Sequence, residues 1–217
     1  MCTQMRLWAL SLLVLSSAAC STTGGTPATS GAAAAPTKSA KVTETKADLR
    51  DLWLGHIVSI RNVAVATVDK NAPAREAAEQ TVVANAQQIA GSIEPFYGKP
   101  ASEKLFTLLA AHYGAIREYL DATVAGDAAR QDVAVKHLTA NAGEISAFLS
   151  GANPNWPKDT VMGLLTAHAA HHLTQFQQLK EADYTREAET WHGMKSHIYV
   201  VADALTDGLA AQFPTKF

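Results

Sequence analysis

The sequence predicts an all-α fold made of three tandem helical hairpins, and three observations support this class. Apolar residues recur at intervals of three and four rather than two, which is the spacing of one helix face. Alanine, the best helix former, is abundant after residue 46. A pattern of apolar residues and histidines also returns after 56 residues, and again after 56 more. We therefore expect six helices in three units.

Histidines mark the repeat most clearly, because His56, His112 and His168 are separated by 56 residues each time. Apolar positions keep the same interval. They are Leu52, Leu108 and Leu164; Val82, Leu138 and Met194; Ile89, Ile145 and Val201; and Ile93, Leu149 and Leu205. The three units span residues 46–101, 102–157 and 158–213, within a helical domain of residues 46–217.

Each unit has the pattern of two antiparallel helices joined by a short turn. In the first unit we expect a helix over residues 48–68 and a second that ends near residue 93, before a proline. Asn71, Asp127 and Asp183 hold equivalent positions and are good N-cap residues for the second helices. The hairpins could close around a pseudo-threefold axis, stack as a short solenoid, or form a four-helix bundle with an added hairpin.

The first 19 residues are typical of a secretory signal peptide. One positive charge precedes an apolar run over residues 7–15, and small residues follow. The run is shorter than the about 20 apolar residues that a membrane-spanning helix needs. The sequence therefore predicts export to the periplasm or cell envelope.

Small residues directly before Cys20 resemble the lipobox of bacterial lipoproteins. That resemblance implies acylation of Cys20 and anchoring to a membrane through the lipid. The family prefers Leu, Val or Ile three residues before the cysteine, and this chain has Ser17 there. The alternative is ordinary signal cleavage near Ala18 or Ala19, which would release a soluble secreted protein.

Residues 20–45 contain mostly Thr, Ser, Gly, Ala and Pro, so the sequence predicts a disordered tether behind the anchor cysteine. Cys2 belongs to the leader, and the domain itself contains no cysteine, which excludes a disulfide or a thiolate metal ligand there. Without the leader the chain has 17 basic and 20 acidic residues, a net charge of −3. That balance argues against nucleic acid as a partner.

Histidines lie on the expected inward face of the first helix in every unit. The three faces are Leu49, Trp53, His56, Ile60 and Val63; Leu105, Leu109, His112, Ile116 and Tyr119; and Val161, Leu165, His168, His172 and Gln175. In the third unit two histidines are four residues apart, so both rings project from one face. On the second helices, His197 stands where the other units have Asn85 and Asn141.

This arrangement predicts a transition-metal site, because neutral imidazoles bind Zn, Cu, Ni or Fe. His168 and His172 are the expected core pair, with His197 as the third ligand and Met194 as a soft ligand for copper. His112 and His56 would complete the site or build another. Asn85 and Asn141 would orient imidazoles from outside it. Haem held between two histidines without a covalent link is a further option.

The alternative hypothesis makes the histidines structural. His56 and His112 would then donate from their rings to the facing asparagines. In that case the domain would be a scaffold that presents a surface to another envelope protein. The expected exposed residues of such a surface are Phe96, Tyr97 and Trp156. We interpret His137, His171 and His192 as surface or boundary residues.

Residues 167–175, with the sequence AHAAHHLTQ, are similar to the HxxxH segment on the last bundle helix of DinB/YfiT-like proteins. That resemblance implies a helical bundle with a three-histidine metal site and a metal-dependent transferase or thiol-handling activity. It also implies a third ligand from an earlier helix, for which His56 and His112 are the candidates. Phosphate loops, nucleophile elbows and CxxC motifs are missing from the sequence, which favours a role outside catalysis.

Overall fold

A computed structural model describes residues 37–217, and the regular secondary structure in that range is entirely helical. The helices are α1 (Thr37–Val68), α2 (Ala72–Gly91), the one-turn α3 (Glu94–Tyr97), α4 (Lys99–Ala125), α5 (Ala128–Ala152), α6 (Lys158–Lys180) and α7 (Tyr184–Gln212). The all-α prediction is thus confirmed. The predicted signal peptide, Cys20 and most of the predicted tether lie outside the described residues. None of the described helices is long and apolar enough to span a membrane.

The six long helices of the described range pair into three hairpins that close into a ring. The hairpins are α1 with α2, α4 with α5, and α6 with α7. Neighbouring hairpins meet where α2 packs on α4 and α5 on α6, and α7 packs back on α1. The first helices of the hairpins, α1, α4 and α6, also contact one another at the centre. Of the three predicted arrangements, the closed one is found, since a solenoid would separate the first and last hairpins.

The turn inside each hairpin has the same construction. The residue before the second helix caps it, because its side-chain oxygen accepts a hydrogen bond from a backbone N–H three residues later. The predicted caps Asn71, Asp127 and Asp183 all do this. Each follows a residue with left-handed backbone: Lys70 at φ 55°, Gly126 at 73° and Ala182 at 55°. These turns recur every 56 residues, whereas the tandem repeat of the whole 56-residue unit stays a prediction.

Helix α1 begins at Thr37, before the predicted end of the tether at residue 45. Residues 40–46 include Ala, Lys and Glu, which are good helix formers, so the helix extends into this segment. Val42 packs on the core, and the Lys46 ammonium lies 2.7 Å from an Asp207 carboxylate oxygen on α7. The last part of the predicted tether therefore belongs to the helical domain.

The predicted inward faces of α1, α4 and α6 form the core. All of their residues are buried except Leu109, which is half-buried. Two large apolar clusters result. One surrounds Trp53, Leu165 and Ile198, and the other surrounds Ile60, Ile116 and Phe176. Along α1 and α6 the inward histidines stand between the residues of these two clusters.

Candidate metal centre

Three histidines from two central helices form a buried cluster. His56 comes from α1, and His168 and His172 come from successive turns of α6. One ring nitrogen from each can be chosen so that all three lie within 4.8 Å of one another. Nitrogens that share a tetrahedral zinc ion lie about 3.3 Å apart, given zinc–nitrogen bonds of about 2.0–2.1 Å. The three nitrogens therefore lie within about 1.5 Å of the mutual spacing that a shared zinc ion requires.

The α6 pair is buried without partners. His168 is 2% exposed and His172 is fully buried, and none of their four ring nitrogens has a hydrogen-bond partner among the described residues. A buried polar group without a partner costs about 1–3 kcal/mol. Such groups are rare in folded proteins and call for an explanation such as a missing ion. The donor set thus fits a transition-metal ion.

The environment of the cluster keeps the imidazoles neutral. Burial, together with repulsion from His112, lowers the pKa of His56 from 6.5 to about 3. Burial is also the main cause that lowers the pKa of His168 and His172 well below 6.5, and neighbouring histidines add to it. At neutral pH these rings therefore carry a free lone pair, which is the form that binds metal ions.

His112 lies beside the cluster and is held by Asn141. The Asn141 amide Nδ2 donates to the Leu108 carbonyl at 3.1 Å, so its Oδ1 is left to accept. His112 Nδ1 lies 3.0 Å from that oxygen and therefore donates the hydrogen bond. The lone pair of His112 is consequently on Nε2, and its ring centroid is 6.2 Å from that of His168. For His112 the predicted pairing with the facing asparagine is found.

His56 differs from His112 although the two positions are equivalent. Asn85 Nδ2 donates to the Leu52 carbonyl at 2.9 Å, as its counterpart does in the second hairpin. Its Oδ1, however, is buried and has no partner among the described residues. The ring of His56 instead lies 5.4 Å from that of His168 and 6.1 Å from that of His172, between centroids. The predicted pairing of His56 with the facing asparagine is therefore not found.

The structure does not bring His197, the expected third ligand, into the cluster. Its Nε2 lies 2.9 Å from the Leu164 carbonyl, and its ring lies 5.6 Å from that of His171. The reason is its position in the hairpin. In all three units, the side chain at this position of the second helix is hydrogen-bonded to the backbone carbonyl 33 residues earlier. Asn85 and Asn141 use their amide nitrogen for this bond, and His197 uses a ring nitrogen. The third imidazole of the cluster is that of His56.

Met194, the expected soft ligand, is fully buried in the apolar cluster that contains Ile57 and Ile198. It holds the position of Val82 and Leu138 in the other hairpins and is buried as they are, although those two residues belong to the other large cluster. The residues interpreted as surface or boundary positions are exposed or half-buried, as predicted: His137, His171 and His192.

Sequence analysis missed a partly buried ion pair near the cluster. Glu187 on α7 is 3% exposed and accepts hydrogen bonds from Arg61 Nε at 2.7 Å and Arg61 Nη2 at 3.0 Å. Gln175, one turn after His172 on α6, also donates to it at 2.8 Å. The inward position of Gln175 was the only available signal, because Arg61 and Glu187 are 126 residues apart.

An apolar cavity of about 90 Å³ extends from the α5–α6 connection to His56, His112 and His168. Trp156 forms part of its wall. The indole is 3% exposed, and its Nε1 donates to the Ala204 carbonyl at 3.2 Å. It packs directly on Gly208, where a Cβ would lie 2.0 Å from Nε1.

The prediction that Phe96, Tyr97 and Trp156 form an exposed surface is therefore wrong. Trp156 is buried, and the other two are half-buried because they pack against Phe213 near the C-terminus.

Comparison of the chain with protein-family models, with curated protein sequences and with solved structures found no match. The functional argument therefore depends on the geometry of the histidine cluster and on the residues around it.

Proposed function

We propose that this protein binds a transition-metal ion through His56, His168 and His172, and that it stores, buffers or senses that ion in the cell envelope. The observation that supports this most is the set of four unpartnered ring nitrogens on His168 and His172. A structural role would have provided those nitrogens with hydrogen-bond partners. A metal ion would accept a lone pair from one nitrogen of each of these rings and a third lone pair from His56.

The ligand chemistry narrows the ion to Zn, Cu, Ni or Fe. Imidazoles suit these metals, whereas Mg and Ca need oxygen ligands. Three protein ligands leave one position of a tetrahedral ion for another ligand, which is the pattern of exchangeable and catalytic zinc sites. The apolar cavity reaches the cluster, because His56 and His168 line it together with His112.

Metal content, measured by mass spectrometry on the untagged protein, tests the proposal. We expect a near-stoichiometric ion in the wild type and its loss in the double variant His168→Ala/His172→Ala. Because a ligand that binds only the folded state stabilises it, a chelator should lower the melting temperature of the wild type alone. Metal-free wild type with a melt that metal and chelator both leave unchanged would refute the proposal.

The envelope location is a separate part of the proposal, and it is supported only by the leader pattern and Cys20. Acylation of Cys20 would attach the domain to a membrane through its N-terminal segment. We expect the wild type in the membrane fraction and a Cys20→Ser variant outside it. Equal partitioning of both would remove the lipid anchor from the proposal while leaving the metal site untouched.

A metal-dependent enzyme of the DinB/YfiT-like kind is the second candidate. Two observations favour it: the HxxxH pair joins a histidine from an earlier helix, and a cavity reaches the cluster. Turnover of a substrate by the metal-loaded protein, abolished by His56→Ala, would support this candidate.

The scaffold hypothesis is favoured by the paired rings of His112 and His197, but it leaves the unpartnered ring nitrogens of His168 and His172 unexplained.

A further inference from the structure

The cavity beside the cluster, called the apolar chamber below, has mainly apolar walls. Among residues 37–217, no Asp, Glu, Lys or Arg side chain lines it. Its walls include Leu49, Trp53, Leu105, Val161, Leu165 and Val201. Each wall residue named here is buried. Charged molecules would lose their hydration in such a space without compensation, so the chamber favours uncharged, mainly apolar occupants.

The size of the chamber limits the occupant further. Its volume is about 90 Å³. A dry apolar cavity of about 150 Å³ accommodates the six carbons of benzene, so by proportion this chamber takes about four non-hydrogen atoms. Lipid acyl chains and peptides are too large.

In the described part of the chain, the titratable groups that line the chamber are His56, His112 and His168. Ring nitrogens of His168 have no partner among the described residues, and the lone pair of His112 is on Nε2, because Nδ1 donates to Asn141. An occupant therefore meets the metal cluster and a hydrogen-bond acceptor at the same end. The opposite end reaches exposed residues, namely Asn155 and Pro157 of the α5–α6 connection and Thr160 in the first turn of α6, and these provide an entrance.

We propose that the apolar chamber binds a small uncharged molecule with an apolar body, which ligates the metal through one donor atom and donates a hydrogen bond to His112 Nε2. The ligation step rests on the proposed metal function. Filling of the chamber by an apolar body does not, because it depends only on the walls.

Pyrazole is a suitable probe, because it is uncharged and carries one ligating nitrogen next to an N–H group. The four ring atoms other than the ligating nitrogen match the size of the chamber. Cobalt(II) is bound to the purified protein first, and its visible absorption reports a change of the fourth ligand. We expect saturable pyrazole binding, with azide, a charged ligand of smaller size, binding at least about tenfold more weakly. Azide binding as tightly as pyrazole would overturn the proposal.

Two variants locate the probe. Val161→Phe fills the chamber two helical turns from His168, and we expect it to weaken pyrazole binding by at least about tenfold. Val200→Phe is the matched control, because Val200 is 54% exposed on α7. Replacement of His112 by Leu should weaken pyrazole binding but leave that of 1-methylpyrazole, which lacks the N–H group, unchanged. Equal affinities in wild type and Val161→Phe would overturn the proposal.

Xenon binding distinguishes a failure of the proposed metal function from a failure of the proposed chamber. Xenon needs no metal, so ¹²⁹Xe NMR of the metal-free wild type tests the chamber directly, even if Val161→Phe does not fold. We expect a bound xenon signal that pyrazole displaces. Bound xenon without cobalt binding would refute the metal function and the ligation step, while the apolar chamber would stand. Cobalt binding without bound xenon would refute the chamber and leave the metal function intact.

Discussion

At the centre of the ring, single side chains that favour metal binding reduce the stability of the metal-free protein. His168 and His172 have four buried ring nitrogens without partners among the described residues, and burial lowers the pKa of both rings. His112, only one hairpin away, has its ring nitrogen paired with Asn141. Two kinds of buried histidine therefore coexist, and substitution should affect them in opposite ways.

Replacement of His168 by Leu should stabilise the metal-free protein and abolish metal binding. The change removes two unpartnered nitrogens and keeps an apolar side chain of similar size, so we expect a gain of about 1–3 kcal/mol in the free energy of unfolding. His112→Leu is the matched control, and it should destabilise the protein because it leaves the Asn141 oxygen unpaired. Urea unfolding of both variants with a chelator present measures this. Destabilisation by His168→Leu would count against an unsatisfied cluster.

The two asparagines offer a second paired comparison. Asn141→Ala removes the partner of His112 Nδ1, whereas the oxygen of Asn85 has no partner to lose. Both substitutions also remove a hydrogen bond that the side-chain amide donates to a backbone carbonyl. In the metal-free protein we therefore expect Asn141→Ala to cost about 1 kcal/mol more than Asn85→Ala. Equal costs in urea unfolding would mean that the His112 hydrogen bond contributes little.

At the residue scale the sequence predicted which side chains point inward but not which of them meet. Helical spacing placed His56, His168 and His172 on buried faces, and all three are buried. It could not show that His197 bonds the Leu164 carbonyl while His56 joins the cluster. That outcome depends on the rotation of each helix about its axis and on contacts between hairpins. Neither is determined by spacing along the chain.

Interactions between residues close in sequence determine where individual helices begin, and the sequence shows these residues directly. The caps Asn71, Asp127 and Asp183 act as predicted because a cap bonds a backbone N–H only three residues away. The start of α1 at Thr37 was missed, although residues 40–46 include good helix formers, because the contacts that stabilise this segment, such as that of Lys46 with Asp207, are with the last helix.

Removal of one cap tests the local contribution. Asp127→Ala deprives the Arg130 N–H of its acceptor, and we expect a loss of about 1 kcal/mol in the free energy of unfolding. Asp132→Ala is the matched control, because Asp132 is exposed in the second turn of the same helix. Urea unfolding curves compare the two. Equal effects of both substitutions would show that charge, rather than capping, is responsible.

The molecule as a whole is held closed by contacts between its first and last long helices. Arg50 on α1 makes a two-point ion pair with Asp203 on α7, at 2.8 and 2.6 Å, and Arg61 pairs with Glu187 in the same way. These partners are 153 and 126 residues apart. No local pattern connects them, so the sequence left closed ring, solenoid and smaller bundle as alternatives.

Acid should destabilise the metal-free protein as a whole. The pKa of His56 is about 3 when folded, against 6.5 ordinarily, so between these values the unfolded chain binds a proton that the folded chain does not. This contribution to stability is present above pH 6.5 and is lost as the pH falls below it. The slope approaches about 1.4 kcal/mol per pH unit for each such histidine.

Unfolding free energies between pH 7 and 5 measure the effect. Glu187 and Asp203 do not interfere, because their ion pairs lower their pKa and those contributions are lost only at more acid pH. The triple variant His56→Leu/His168→Leu/His172→Leu should show a flatter profile. A flat wild-type profile would contradict neutral, desolvated imidazoles.

The most direct test of the central claim is the zinc affinity of two single variants, measured by competition with a chromophoric chelator. His56→Ala removes a member of the cluster, whereas His197→Ala removes a ring that bonds a backbone carbonyl outside it. We expect His56→Ala to weaken zinc binding by more than the roughly 10–100-fold typical of an outer hydrogen-bond partner. His197→Ala should stay within about tenfold of the wild type. The reverse order, with His197 essential and His56 dispensable, would contradict the proposed site.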